Sequence, residues 1–438
     1  MRTLVQRVRR METLARAWHV ILENGRSSQS LSTRREIEEF ARTAETRLEK
    51  IQRQLNVGRF IFKPATGIPI PKQGKDAIRP LVVAPIPSRI VQRAILEVLL
   101  QLPQICHLAE NPFSFGGVRK RQGGRFGAVP AAIQAVLKAV ESGLTYVVRS
   151  DISAFFTKIS KPTVTAIVEK AAEDADFVSL FSSAIAVELE NLASLRQYAA
   201  QFPIHEIGVA QGNSLSPLLG NILLRDFDQE MNNGDCRCLR YIDDFLILGR
   251  SRAATNAAFS RAVTLLSRHG LEVNDKTQRS DIAQGFVFLG VELQNGAVRP
   301  SRESRRRLVD NISEVLNDSV SAFRSYKKGG AMPSRRSLLR TLTEVSGMVQ
   351  GWGSHYSFCN ERNVVGQMDR VLDQMLRGYV GRYAAERKGL DAEGCRRLLG
   401  VPLLEELASR ACSWNKAAMN ALPSHAQTTE PATAVPQI

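Results

Sequence analysis

At 438 residues the chain is too long for one ordinary compact domain, so two or three subdomains around connected cores are expected. The apolar content of 44% is that of a globular protein. The Arg-rich, amphipathic N-terminus "MRTLVQRVRRMETLARAWHVILENG" has no continuous apolar stretch, which argues against a signal peptide or a membrane span and makes the cytoplasm the default location. Lys+Arg 59 against Asp+Glu 43 gives a formal net charge of +16. That balance suits a polyanionic partner, because each phosphate neutralised releases counterions; a generally basic soluble protein or a peripheral membrane binder is the competing reading.

Residues 1 to about 60 read as helical. Leu14, Trp18, Ile21 and Leu22 recur at three- and four-residue spacing, and "STRREIEEFARTAETRLEKIQRQL" opens with a Ser-Thr cap and carries Ile37, Phe40, Ala44 and Leu48 on one face. From 60 the prolines, glycines and short β-branched runs of "RFIFKPATGIPIPKQGKDAIRPLVVAPIP" predict hairpin strands and turns, before "SRIVQRAILEVLLQLP" returns to helix and ends at Pro103. "LTYVVRSDISAFF" is a strand running into Asp151, followed by helical sequence to about 200. "GVAQGNSLSPLLGNILLRDFDQEM" is a Gly-Gln-Gly turn and then a helix with Leu218, Leu219, Ile222, Leu223 and Phe227 inward. "RCLRYIDDFLIL" is strand, tight turn, strand; "AAFSRAVTLLSRHGLEVNDKT" is a helix stopped by Gly270; "GFVFLGVEL" is one more short strand. From 301 to about 420 the chain reads as Arg-rich helix, and the tail 421–438 as disordered by composition. Helices mixed with short antiparallel strands predict an α+β fold. Of six cysteines only Cys236 and Cys238 lie close, and C-x-C without a second pair is poor zinc spacing, so reduced thiols are expected.

The chemistry concentrates at two places. Asp243 and Asp244 occupy the turn of a hydrophobic hairpin, and Asp151 ends another hydrophobic strand. If those strands are neighbours in one sheet, three carboxylates converge on one edge, where repulsion and desolvation are costly without a cation. Mg²⁺ resolves that with a few carboxylates plus substrate phosphates, and two ions ~4 Å apart would hold the attacking and leaving oxygens of an in-line phosphoryl displacement. An isolated Asp-Asp is more often a capped turn or a solvated pair; an ordered set of further blocks reverses that weighting.

Those blocks resemble the reverse transcriptase family. "YIDD" resembles its Tyr-x-Asp-Asp signature, "IPIPKQGKDAIRPLVVAPIPSRIVQRAI" the fingers segment, "NPFSFGGVRKRQGG" the following block, "SDISAFF" motif A, "GVAQGNSLSPLLGNILL" motif B, "GLEVNDKT" motif D and "FLGVEL" the strand before the thumb. The resemblance implies a right-hand polymerase: an N-terminal helical extension over 1–60, fingers and palm over 61–300 with an antiparallel palm sheet carrying the hairpin, and a helical thumb over 301–420. It implies Asp151 and Asp243 as ligands of Mg²⁺, with Mn²⁺ an alternative, Asp244 as a weaker ligand, and the carbonyl of Ile152 as a further oxygen ligand. Lys72 and Arg79 would hold the incoming triphosphate, where an arbitrary hairpin would merely present a solvated basic face. Phe156 would be the bulky gate that collides with a ribose 2′-OH, its bland counterpart being a core phenylalanine beside Phe155. Gln211 and Gly212 would approach the nucleotide, the glycine because backbone must come close. Lys276 would be a general acid for pyrophosphate, or a surface lysine. Tyr241 would support the primer end. Arg89 and Arg93, four apart on a helix, would contact template or nucleotide phosphates, or else form a salt-bridged face.

"MVQGWGSHYSFCNERNVVGQMDRVLDQMLRGYVGRY" resembles the thumb of group-II-like enzymes, with Trp352 and Tyr356 as core more readily than as stacking platforms, and Arg362, Arg370, Arg377 and Arg382 suited to backbone contacts. The blocks typical of group II maturases and retrons are not found in this sequence, and its remaining length is expected to leave no room for an RNase H domain. The nearest likeness is to stand-alone bacterial enzymes of the "unknown group", many of them antiphage defence-associated. That implies cDNA synthesis from dNTPs on a partner noncoding RNA, with no membrane role. An intron maturase, template-independent or protein-primed DNA synthesis, and a non-catalytic RNA-binding scaffold stay open, although a retired site has no reason to keep repelling carboxylates together.

Overall fold

The structure, a computed structural model, describes residues 3–28, 30–72, 78–109, 111–117 and 127–404. The predicted tail and Cys412 lie outside them, as do parts of the two blocks around residues 73–77 and 118–126. The chain divides into two compact units, one up to Arg299 and one from Pro300 onward. Helices and antiparallel sheets mix in the first unit and helices follow in the second, as the α+β expectation requires.

The first unit begins with four helices. Thr3 and Gln6 form a reciprocal capping box on Leu4–Val8, each satisfying a backbone N–H that the first turn leaves unpaired. The helix Met11–Arg26 buries Leu14, Trp18 and Ile21 as the spacing predicts. The next predicted helix is corrected in two respects. Its cap is Ser30, whose hydroxyl accepts from the Thr33 N–H, so the helix Leu31–Ala41 starts one residue ahead of the Ser-Thr pair. It then breaks at Thr43, where φ −131 is non-helical, and resumes as Ala44–Asn56 with Leu48, Ile51 and Leu55 buried. Trp18 and Phe40, with ring centroids 4.6 Å apart, join the helix Met11–Arg26 to Leu31–Ala41.

The helix Ile86–Leu99 buries most of its length, including Ser88, Gln92 and Glu97, while Arg89 and Arg93 stand on its less buried side. Ahead of it, β1 (Thr66–Pro71) and β2 (Ile78–Val83) pair antiparallel from Thr66↔Val83 to Pro71↔Ile78. The central sheet has β3 (Tyr146–Asp151), β4 (Arg237–Tyr241), β5 (Asp244–Gly249) and β6 (Gln278–Asp281) in the order β4-β5-β3-β6, so the Asp151 strand does lie beside the Asp-Asp hairpin. One face packs on Phe155, Phe227 and other residues of the main core, with Phe227 and Phe245 edge to face at 6.1 Å. Between these strands the predicted motif-B helix is two, Ser216–Leu223 and Arg225–Glu230, split at Leu224; its five inward residues are nonetheless all buried. The single strand predicted at "GFVFLGVEL" is a hairpin, β7 (Phe286–Phe288) and β8 (Val291–Gln294), with β9 (Ala297–Pro300) beside it. The turn residues Leu289 and Gly290 both have positive φ, 52° and 77°, the geometry of a two-residue hairpin turn, and a leucine in that place disguised it.

The second unit contains the helices Arg302–Lys327, Leu338–His355, Arg362–Arg387 and Ala392–Leu399. Leu308, Ile312, Leu316, Phe323 and Tyr379 form its core, and the buried Tyr379 hydroxyl bonds Ser319 at 2.8 Å. Trp352 packs against Tyr356 at 5.0 Å and donates its indole N–H to Ser304, which is the packing role expected of it. Arg362, Arg370, Arg377 and Arg382 all stand exposed on one helix. The cysteines among the described residues are free thiols, and burial pushes Cys359 up to about 11.

Candidate active site

Register places the acidic residues. Tyr241 pairs with Asp244 across the β4–β5 hairpin, leaving Ile242 and Asp243 as the turn, and Asp151 pairs with Asp244 across β3–β5. Ile242 sits at φ 61, a strained place for a β-branched residue that persists only where its surroundings over-determine it. They do: Arg240 Nη1 donates to the Ile242 carbonyl at 2.9 Å, and the Ile152 N–H donates to the Asp243 carbonyl at 2.9 Å. Gly116 lies so close that a Cβ there would come within 2.8 Å of the Ile242 nitrogen.

The electrostatics separate the carboxylates. Burial, then the Asp244 and Asp151 charges, push Asp243 above the ordinary carboxylate value, and the Arg79 guanidinium opposes the rise. Asp244 is also raised, mainly by burial, with Arg149 opposing from 3.5 Å. Arg149 is itself anchored on the Val287 carbonyl at 3.0 Å. Asp151 accepts from Asn274 Nδ2 at 3.1 Å, while its carbonyl accepts the Asn274 backbone N–H at 2.8 Å. Asp151, Asp243 and Asp244 lie near enough for the Asp151 charge to raise both of the others, while Arg149 engages Asp244 and Asn274 engages Asp151; among the described residues no three His, Cys, Asp or Glu side chains form a ready metal cage. Oxygen donors of this kind still fit Mg²⁺, which takes one or two carboxylates and completes its shell from water and phosphate.

Two other segments meet here. The Val82 N–H on β2 donates to the Gln211 carbonyl at 2.8 Å, tying the hairpin that carries Arg79 to the Gly212 turn. The Val209 N–H donates to the Phe156 carbonyl at 2.7 Å, joining the same loop to the segment after Asp151.

A model of the reverse transcriptase (RNA-dependent DNA polymerase) family matches residues 70–293. The chain belongs to the reverse transcriptase family. Protein YkfC of Escherichia coli (strain K12) is 25% identical over 307 residues, covering 61% of this chain and 75% of that protein. Among solved structures, a partial Cas6-RT-Cas1–Cas2 complex aligns at 19% identity and TM-score 0.34, covering 61% of this chain and 43% of that one. Apo telomerase from Candida tropicalis aligns at 14% identity and TM-score 0.38 over 55% of each chain. Telomerase from Candida albicans aligns at 13% and 0.39, over 79% of this chain and 62% of its own. The reverse transcriptase thus spans less than two thirds of the length of each of these solved chains.

The remaining sequence-predicted residues fall as follows. Lys72 stands exposed just past β1 and Arg79 exposed on β2. Phe156 is half-buried, its ring 5.4 Å from the fully buried Phe155. Tyr241 is half-buried at the end of β4, its phenol raised by burial. Lys276 is exposed, its backbone N–H on Asn274 Oδ1. Arg89 and Arg93 line a cavity of about 440 Å³ with Asn24, Gly212 and Ser214. Arg93 pairs with Glu97 four residues on, as in the salt-bridged alternative, while burial lowers the Arg89 guanidinium and Glu36 opposes that.

Sequence reading missed Arg149, Asn274 and Arg240. A signal existed for the first: Arg149 interrupts an apolar strand two residues before Asp151, hence on the same face. Asn274→Ala is expected to lower DNA synthesis by about tenfold, since it frees the Asp151 carboxylate without removing it. Steady-state kinetics check this, and unchanged kcat would assign Asn274 to folding alone.

Proposed function

We propose that this reverse transcriptase synthesises DNA on an RNA template at a two-metal centre, with Asp151 and Asp243 as the principal ligands. The observation that carries the reading is the register of Asp151 against Asp244 beside the Ile242–Asp243 turn, within the stretch that matches the family. Bound Mg²⁺, or Mn²⁺, supplies charge stabilisation to the attacking 3′-oxygen and the leaving pyrophosphate. The chain does the rest. Asp243 and Asp151 offer carboxylate oxygens, Ile152 a carbonyl, and Asp244, shared with Arg149, a weaker ligand. Lys72 and Arg79 hold the triphosphate, Gln211 and Gly212 approach its sugar and base, Phe156 closes on the 2′ position, and Lys276 protonates pyrophosphate. Tyr241 supports the primer end, and Arg89 and Arg93 face nucleic-acid phosphates.

In this reading residues 61–300 are fingers and palm and 301–420 a thumb whose exposed arginines follow the duplex backbone. The net charge of +16 supports a nucleic-acid partner. No helix among the described residues is long and apolar enough to cross a membrane. The biological role we propose is cytoplasmic antiphage defence, with cDNA made from a cognate noncoding RNA. Primer extension on an RNA template tests the activity: the wild type incorporates dNTPs, and Asp243→Ala with Asp244→Ala does not. Equal incorporation by both sinks the proposal. Sequencing the co-purified nucleic acid tests the role, with a noncoding RNA expected and intron RNA favouring a maturase.

Phe156→Ala is expected to reduce the preference for dNTP over rNTP by about ten- to a hundredfold, because the gate acts by steric exclusion. Competitive single-nucleotide insertion measures it, and an unchanged ratio would return Phe156 to the core.

A further inference from the structure

Arg240 is the largest fully buried side chain among the described residues, and none of the proposed chemistry uses it. It is the penultimate residue of β4, the edge strand of the central sheet, next to Tyr241. The segment Phe113–Phe115 covers that edge: the Arg240 N–H donates to the Phe113 carbonyl at 2.8 Å, and the Phe115 N–H donates to the Arg240 carbonyl at 2.9 Å. The guanidinium is held on three sides. Nε and Nη2 donate to the two carboxylate oxygens of Asp228 at 2.8 and 2.5 Å, and Nη1 donates to Asn221 Oδ1 at 3.1 Å. The remaining direction is the functional one, Nη1 to the carbonyl of Ile242 at 2.9 Å.

The partners are fixed in turn. Asn111 Nδ2 donates to Asp228 Oδ2 at 2.7 Å, Ser114 Oγ donates to Asn221 Oδ1 at 3.1 Å, and Asn221 Nδ2 donates to the Gly116 carbonyl at 2.9 Å. Residues 111–116 therefore act as a bracket joining the helices of Asn221 and Asp228 to the hairpin, which is a use for the "NPFSFGG" block that the nucleotide site does not supply.

Both Arg240 and Asp228 have 0% exposed side chains. Apolar residues of similar size generally stabilise a core as well as or better than a buried ion pair, because the desolvation of two charges offsets their attraction. Stability alone gives this pair no advantage. Direction does: a guanidinium locked bidentately by Asp228 is a planar fork of fixed orientation, so its Nη1 points at one place. That place is the carbonyl of the peptide between Ile242 and Asp243, and Ile242, with its left-handed φ of 61°, is the strained link in the turn.

We propose that Arg240 is a positioning residue: braced by Asp228, Asn221 and residues 111–116, it fixes the Ile242–Asp243 peptide and so aims the Asp243 carboxylate at the ion it binds. The inference rests on Asp243 being an ion ligand, as in the proposed function.

Three variants separate aim from stability. Arg240→Lys keeps the charge but loses the fork. Arg240→Met leaves Asp228 unpaired. Arg240→Met with Asp228→Leu replaces the pair by apolar volume. Each is measured for thermal stability, for Mn²⁺ affinity by paramagnetic resonance without nucleic acid, and for kcat and the KM for dNTP. Arg240→Lys is expected to fold, with Mn²⁺ affinity and kcat each lowered about ten- to a hundredfold and KM changed less than about twofold. The double variant is expected to regain the melting temperature that Arg240→Met loses, while the Mn²⁺ and kcat defects persist. A folded Arg240→Lys protein or a stable double variant with wild-type Mn²⁺ affinity and kcat overturns the inference and leaves the proposed function standing. A wild type that neither binds Mn²⁺ nor extends a primer overturns the reading beneath it.

Discussion

Asp243→Asn is expected to lower dNTP incorporation by about a thousandfold or more, against about tenfold for Asp244→Asn, a difference of roughly 3 kcal/mol in transition-state stabilisation. The two residues are adjacent, yet their surroundings differ. Asp243 occupies the turn, its backbone tied at Ile152 and its charge faced by Arg79, and burial dominates its raised pKa. Asp244 lies 3.5 Å from Arg149, so part of its charge is already compensated inside the protein. In the proposed function an ion therefore gains more from Asp243. The same asymmetry has a stability signature in metal-free buffer. The folded pKa of Asp243 is raised above the ordinary 3.8, so its stabilising contribution is present below that value and lost as pH rises through the raised one. Asp243→Asn thus raises the melting temperature at neutral pH, and the advantage fades as the buffer is acidified. Added Mg²⁺ stabilises the wild type by mass action and leaves Asp243→Asn unmoved. Equal kinetic losses for the two variants, or a Mg²⁺ response retained by Asp243→Asn, would contradict the division of roles.

Gly212→Ala is the second large effect. The residue has φ +119, where an L side chain is strained, and an added Cβ would stand 2.5 Å from the Val82 carbonyl oxygen. The obstacle is backbone, which cannot swing aside as a flexible side chain does. Relief requires parting β2 from the loop, and that means stretching the 2.8 Å bond from the Val82 N–H to Gln211. Since β2 carries Arg79, the proposed triphosphate site moves with it. Strain of about 1–3 kcal/mol is expected, read as a lower melting temperature. DNA synthesis falls by about a hundredfold with an increased KM for dNTP, because an ångström of misplacement at a reacting group has that order of effect. A variant with wild-type melting and kinetics would mean that the loop and β2 are not coupled.

Much of this architecture was legible locally. Asp151 at the end of an apolar run, the Tyr-x-Asp-Asp turn, and the inward Leu218, Leu219, Ile222, Leu223 and Phe227 are consequences of period and order, and the fold places all of them as the pattern predicts. The misreadings occurred where a local pattern had a less common solution. Leu289 takes a positive φ that favours glycine, hiding a hairpin, and the helix cap falls on Ser30 because its hydroxyl reaches the Thr33 N–H.

From the sequence alone came the family, the acidic residues of the centre and the net positive charge, because residue type, order and net charge are properties of the chain whatever its conformation. The tertiary structure alone decided who holds whom: Asp244 with Arg149, Asp151 with Asn274, and Arg240 with Asp228, Asn221 and the Ile242 carbonyl. Asn274 is 123 residues from Asp151 in the chain, and no local period connects them. Strand register and helix packing do, since a hydrogen bond acts over about 3 Å of space regardless of separation along the backbone.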